Sequence, residues 1–272
     1  MNASDEALAD RILAARATGV PIAPITDENS AFDLEAAYRV SAIVMNRRFA
    51  YGERAVGWKI GFTNRTIWDE YDVHAPIWGP VYDTTAAAVS ADTPIDAPLA
   101  GLAEPRIEPE IVFRIGTPPS PEMDDHALFA CIDGIGHGFE IVQSIYPAWR
   151  FKAADTVAAF ALHGCLFYGP FVSPSAGEGA EAWIERLKAF EIVLSRDGQI
   201  VDRGKGSNVL DSPLSALGHF VRGLDRVSGA RLKSGEIITT GTVTRAFPVH
   251  PGETWQSEIV GLPLRGLTVR YR

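Results

Sequence analysis

Cysteine is scarce in this chain, with Cys131 and Cys165 its only two. Two thiols cannot frame a disulfide scaffold, and they fit a reducing compartment. Long apolar runs are missing as well, so no segment has the length needed to span a bilayer. The N-terminal stretch MNASDEALADRILAARATG lacks the basic-then-apolar order of a signal peptide. Positive charge is in deficit, since 25 Lys and Arg face 34 Asp and Glu for a net charge of −9. Phosphate backbones call for a basic stripe, which argues against a nucleic-acid partner. An anionic small molecule stays open, because a bound cation inverts the local field. The expectation is a cytoplasmic protein with a small-molecule substrate, no nucleic acid and no membrane.

What is present points to a folded body. Hydrophobic residues make up 46% of the 272, enough for a large packed core and too many for wholesale disorder. Residues 4–17 set Ala7, Leu8, Ile12 and Leu13 at helical spacing, with acids early and arginines late. After the breaker PIAPIT, a second helix is predicted over LEAAYRVSAIVMNRRFAYG, with Ala36, Val40, Ile43 and Val44 on its apolar face. Residues 1–54 thus read as a small N-terminal helical lobe, too short to be stable alone and expected to pack on residues 55–272.

From residue 55 the texture changes to strands and turns. AVGWKIGFTN reads as a strand and PIWGPVYDTT as a loop feeding another. A short helix is predicted near Met123, then a strand through Phe139 to Val142. TVAAFALHGCLFYGPFV fits either a helix or a buried strand. WIERLKAFEIVLSRDGQIVDRGKG reads as two strands about an Asp197-Gly198 hairpin turn, and SPLSALGHFVRGLDR as a Ser-capped amphipathic helix. Strands broken by a few helices, without a βαβ rhythm, predict an α+β fold with a mostly antiparallel core.

The stretch EPRIEPEIVF, residues 104–113, poses a chemical problem. On a strand, Glu108 and Glu110 point the same way. Two carboxylates side by side repel unless a cation lies between them or one keeps its proton. A solvent-facing strand with Arg106 or Arg114 as partner is one resolution; a divalent cation is the other. Glu140, an acid inside the apolar strand GHGFEIVQS, is the best third ligand, since charge there is costly to bury uncompensated. Three carboxylates without a Cys/His cluster describe a hard-cation site for Mg²⁺ or Mn²⁺. His137 and His163 each read as a general base for water or as a hydrogen-bonded structural histidine. Asp83 and Asp155 are candidate supporting acids. Trp58, Trp78, Tyr146 and Trp149 are candidate aromatic walls of a pocket.

Four stretches in order, VGWKIGFTN, EPRIEPEIVF, FEIVQS with DTVA after it, and LKSGEIITTGTVTRAFPVHPGE, resemble successive motifs of the fumarylacetoacetate hydrolase superfamily. The likeness is greatest to its 2-keto-4-pentenoate hydratase and 4-oxalocrotonate decarboxylase branch, and runs from about Tyr38 to the C-terminus. It implies a mixed β-roll core, homo-oligomers, and a divalent metal on Glu108, Glu110 and Glu140. It also implies an active-site lysine at Lys59 and a substrate turn at Gly241 and Thr242. The activity implied is a lyase hydrating a 2-oxo or 2-hydroxydienoic acid through a metal-stabilised enolate, as in aromatic meta-cleavage catabolism. The alternatives are decarboxylation of an oxalocrotonate-like oxo diacid and acylpyruvate-type C–C hydrolysis with His137 or His163 as base. Hydratases of this branch usually read EIVDSR and DTVADNAS where this chain has EIVQSIYPAW and DTVAAFALHG. Gln143, Ile145 and Leu162 therefore replace an aspartate, an arginine and a pocket serine, and Gln143 is carried over as the substrate-binding candidate.

Overall fold

Asp33 opens the first long regular element after the N-terminal helix: its side chain accepts the Ala36 N–H and caps a helix over Leu34–Ala50. The computed structural model of the chain describes residues 3–65, 68–71, 73–174 and 179–272. The first helices are α1 (Ala3–Thr18), α2 (Ile25–Glu28) and α3 (Leu34–Ala50). Helix α1 packs through Ala9, Ile12 and Ala15, one step round from the predicted face, with Ala7 exposed and Leu8 and Leu13 half-buried. Helix α3 buries Ala37, Val40, Ile43 and Val44 in the same core.

The rest is built on two sheets. In chain order come β1 (Ala55–Gly61), α4 (Trp68–Tyr71), β2 (Ile77–Tyr82), β3 (Ala86–Ala88), β4 (Ile95–Ala97) and β5 (Arg106–Ile115). Next follow α5 (Asp125–Phe129), β6 (Ile132–Val142), α6 (Ala153–Ala158), β7 (His163–Tyr168), α7 (Ala180–Ala189), β8 (Glu191–Arg196) and β9 (Gln199–Lys205). Helix α8 (Pro213–Ser228) precedes β10 (Ile237–Thr242), β11 (Phe247–Pro248), β12 (Thr254–Val260) and β13 (Thr268–Tyr271). One sheet runs β2-β1-β10-β5-β6-β7-β3 with β11 beside β5; the other runs β4-β13-β12-β8-β9. Pairs β1/β10, β3/β7 and β4/β13 are parallel and the others antiparallel, giving the mixed core.

Several sequence readings change. PIWGPVY is itself the buried strand β2, not a loop, because its residues contact the sheet and the Phe160–Leu162 turn on both sides. WIERLKA forms helix α7, its Trp183, Ile184 and Leu187 spaced for one buried face, and the strand begins only at Glu191. The TVAAFALHGCLFY stretch is neither wholly helix nor strand. Helix α6 gives way to a turn at Phe160–Leu162, with φ of 62°, 49° and 64°, and then to β7.

The faces of β5 explain where polar chemistry collects. Its odd residues are apolar: Ile111, Phe113 and Ile115 meet α5, α7 and α8, while Ile107 meets the second sheet through Trp255 and Val269. Its even residues Arg106, Glu108 and Glu110 share the opposite face.

Candidate active site

Strand register draws the polar residues into one row across the first sheet. Glu108 on β5 stands directly opposite Glu140 on β6, and Glu110 opposite Gly138. On the far side of β5, Glu110 pairs with Thr242 of β10, and β10 pairs with β1 so that Lys59 lies beside Thr239. Oxygen atoms of Glu108, Glu110 and Glu140 all lie within 4.8 Å of one another. Glu110 and Glu140 are wholly buried, and Glu108 is half-buried at the wall of a cavity of about 270 Å³.

Each carboxylate is held by its surroundings. Glu110 Oε2 accepts the Gly241 N–H at 2.7 Å. The β5/β10 register shifts between Thr239 and Thr242, and Gly241 sits in that irregularity at φ 99°. A Cβ there would lie 1.8 Å from Thr63 Oγ1, so only glycine permits the turn. Glu140 Oε1 faces His163 Nδ1 at 2.8 Å, and Glu140 Oε2 lies 3.4 Å from Lys59 Nζ. Lys59, itself buried, donates to Ala161 O at 3.0 Å. That acceptor belongs to the left-handed turn, which ties the backbone at Ala161 to the ammonium group.

Electrostatics in the cluster are unbalanced. Burial pushes Glu108 up to about 7, with Glu140 adding to the push and Lys59 and Arg106 opposing it. Burial, then the charges of Glu140 and Glu108, pushes Glu110 well above the usual carboxylate range. For Glu140 burial is again the largest influence and acts upward, but Lys59 and His163 together hold it below its ordinary value. Lys59 is raised: burial alone would lower it, and the three carboxylates outweigh that. One ammonium thus faces three carboxylates. Glu110 Oε1 and Glu140 Oε2 have no hydrogen-bond partner although both are buried. Unpartnered carboxylate oxygens in a buried, oxygen-only cluster are the donor set a hard divalent cation requires, so these residues fit such an ion.

The other predicted residues fall into two groups. Gly241 and Thr242 line the cavity, and Thr242 Oγ1 has no partner within the chain among the described residues. Leu162 and Trp149 line it too, with Phe62, Tyr71 and Phe151. His137, His163 and Gln143 do not. His137 lies on the opposite face of β6 from Glu140, its ring nitrogens engaged by Glu110 O at 2.9 Å and Ser257 Oγ at 2.7 Å. Burial lowers it to about 4. His163 is closed between Glu140 and Thr85 Oγ1, the latter at 2.9 Å, so it orients a carboxylate and has no ring nitrogen left for water. Gln143 is spent on backbone, accepting from Ala103 N and donating to His163 O. In this geometry none of the three offers the cavity the base or substrate contact expected of it. Asp83 accepts the exposed Arg54 N–H, and Asp155 binds the N-terminal lobe, so neither supports the cluster. Trp58 and Trp78 pack on Phe220 of α8 and line a separate cavity of about 1020 Å³, and Tyr146 is buried behind the wall of the carboxylate cavity against Phe151.

Residues 65–270 match the fumarylacetoacetate (FAA) hydrolase C-terminal family. The chain belongs to that family. It is 31% identical over 258 residues to a 2-keto-4-pentenoate hydratase of Paraburkholderia xenovorans (strain LB400), covering 94% of this chain and 91% of the relative. A 4-oxalocrotonate decarboxylase of a Pseudomonas species is 28% identical over 255 residues, covering 94% of each. Among solved structures, 4-oxalocrotonate decarboxylase from Pseudomonas putida G7, complexed with magnesium and adipate, superposes with a TM-score of 0.89 at 25% identity. That match spans 99% of this chain and 97% of the other. The mixed helix-and-sheet fold is therefore that of the family.

Proposed function

We propose that the protein is a divalent-metal-dependent lyase that hydrates a 2-oxo or 2-hydroxydienoic acid. The observation that carries this reading is the convergence of Glu108, Glu110 and Glu140, with two buried oxygens that accept no hydrogen bond. Their similarity to the site expected of a hydratase is reinforced by relatives that are hydratases across nearly the whole chain. Oxygen-only ligands favour Mg²⁺ or Mn²⁺. Such an ion supplies Lewis-acid polarisation of a C2 oxygen and charge neutralisation for the enolate.

The chain's own groups do the rest. Lys59 keeps its proton in an ion pair 3.4 Å from Glu140 Oε2 and spends one donor on Ala161 O, which leaves N–H groups for an anionic substrate oxygen. Thr242 Oγ1 offers a free hydroxyl at the same wall. Phe62, Tyr71, Phe151 and Leu162 pack the hydrocarbon part and exclude bulk water, which strengthens every charge interaction inside.

Decarboxylation of an oxalocrotonate-like oxo diacid is the second reading, favoured by Arg106 and Arg245 in the cavity wall. C–C hydrolysis with His137 or His163 as base loses its support, since neither ring reaches the cavity. The test is to strip the metal, restore Mg²⁺ or Mn²⁺, and follow dienoate absorbance together with CO₂ release. Metal-dependent loss of conjugation without CO₂ is expected; CO₂ release favours the second reading, and silence on both contradicts a lyase.

A further inference from the structure

Two cations of the N-terminal helices reach one aromatic ring behind the wall of the carboxylate cavity. Arg16 of α1 and Arg48 of α3 place their guanidinium carbons 5.0 Å and 5.7 Å from the centre of the Phe160 ring. Phe160 is buried and opens the left-handed turn that ends at Leu162, a residue of the cavity wall. Arg48 also lies 3.6 Å from the centre of the Tyr82 ring and pairs with Glu53 through Nε and Nη2. Arg16 Nη2 donates to Gly164 O at 3.3 Å. Arg16 Nε and Arg48 Nη1 are buried and, among the described residues, have no hydrogen-bond acceptor. Burial, then the charge of Arg48, pushes Arg16 down to about 10, so it stays cationic at neutral pH. The acid that Arg16 feels, Glu53, is already paired with Arg48. The Phe160 face and Gly164 O therefore compensate the Arg16 charge.

The turn itself holds one carbonyl. Three successive non-glycine residues at φ 62°, 49° and 64° persist only where their surroundings over-determine them. Leu162 N donates to Ala159 O at 2.9 Å, and Leu162 O accepts from Gln143 N at 2.8 Å. Neither bond fixes the middle carbonyl, Ala161 O, which accepts from Lys59 Nζ at 3.0 Å. Phe160, one residue earlier, anchors the turn by its side chain, and it does so against the two arginines. Lys59 stands between two acceptors, Ala161 O and Glu140 Oε2, the latter at 3.4 Å. An ammonium released from the carbonyl would close on the carboxylate, and its free N–H groups would lose their aim.

We propose that Arg16 and Arg48, acting through the Phe160 ring, are positioning residues for Lys59, so that the N-terminal helices help to set how tightly the carboxylate site binds an anionic ligand. This rests on the reading that Lys59 meets an anionic substrate oxygen beside Glu108, Glu110 and Glu140. The arginines touch no ligand themselves. Their effect passes from ring to turn, from Ala161 O to the ammonium group, and from there to the cavity.

The test is a double-substitution cycle on the full chain, read by calorimetric titration with oxalate in saturating Mg²⁺. Lys59→Met is expected to weaken oxalate binding by about tenfold or more, the value of one charge-assisted contact. Arg16→Met, which keeps the length of the side chain and removes the charge, is expected to weaken it by about tenfold. Made in the Lys59→Met background, the same substitution should change affinity by less than about twofold. Arg16→Lys restores a cation and should return affinity to within about threefold of wild type. Phe160→Leu should repeat the Arg16→Met pattern, which separates the ring contact from the bond to Gly164 O. Equal losses in both backgrounds would show a purely structural role and overturn the proposal. Wild-type affinity in Arg16→Met and Phe160→Leu would overturn it as well, and so would a Lys59→Met protein that binds as tightly as wild type. Binding by wild type that only Lys59→Met weakens removes the arginines and leaves the carboxylate site standing. If wild type takes up no oxalate, the reading of that site falls and the positioning role falls with it.

Discussion

His137 stands three residues before Glu140, and on a strand an odd offset places two side chains on opposite faces. The alternation that puts Glu108 beside Glu110 also turns His137 toward Phe139 and Ser257, so its exclusion from the cavity was legible in the spacing itself. His137→Gln should leave kcat within a few-fold of wild type. Thermal melting should show a loss of about 1–3 kcal/mol from unsatisfied buried partners. A collapse of kcat with unchanged melting would restore the histidine as a base. His163 was harder to read, because its role depends on a pairing between β6 and β7 and on Thr85, which comes from a separate turn. The carboxylates behave oppositely to His137. Burial and repulsion raise Glu110, so Glu110→Gln should raise the melting temperature of the metal-free protein by a few degrees while removing an oxygen ligand. A lower melting temperature in that variant would mean that the charge is already compensated.

At the scale of elements, the readings that held had local signals. The Asp197-Gly198 hairpin needs positive φ at both positions, 49° and 79°, and those residue types supply it. Helix α8 begins at its Ser212 cap, where the hydroxyl accepts the Ser215 N–H. The turn at Phe160–Leu162 had no such signal. No glycine or asparagine marks its left-handed residues, and it is kept in place by contacts distant in sequence, including Lys59 on Ala161 O and Arg16 over the Phe160 ring. The N-terminal lobe is joined to the sheet body by one buried acid of comparable reach. Asp155 accepts from Thr26 N, Thr26 Oγ1 and Lys152 N, and Ile22 N donates to Ile145 O nearby. We propose that residues 1–54 dock as a dependent layer through this contact. Asp155→Ala should cost about 2–4 kcal/mol and speed proteolysis within residues 1–54. Unaltered cleavage there would show that the lobe is held by its apolar core alone.

For the whole molecule, the order of motifs conveyed the family, and the family conveyed the fold. No single motif in the sequence specified that β5, β6, β10 and β1 would lie side by side in one sheet, and that adjacency is what gathers Glu108, Glu140, Glu110 and Lys59. The contact of Arg106 with Trp149 in the cavity wall was illegible for a related reason. Arg106 and Trp149 are separated by 43 positions, and their contact depends on left-handed backbone at Ala148 and Trp149 that composition does not announce. The homo-oligomer implied by the resemblance remains a proposal with a direct check: light scattering should return a multiple of 29.4 kDa, and a mass of one chain would contradict it. Glu108, Glu110 and Glu140 converge to hold one doubly charged ion. Calorimetric titration of metal-stripped wild type and Glu110→Gln with Mn²⁺ tests it most directly. One ion per chain is expected in wild type, with affinity weaker by about a hundredfold or more in the variant; equal affinity in the two, or no binding by wild type, would show that the cluster is not a metal site.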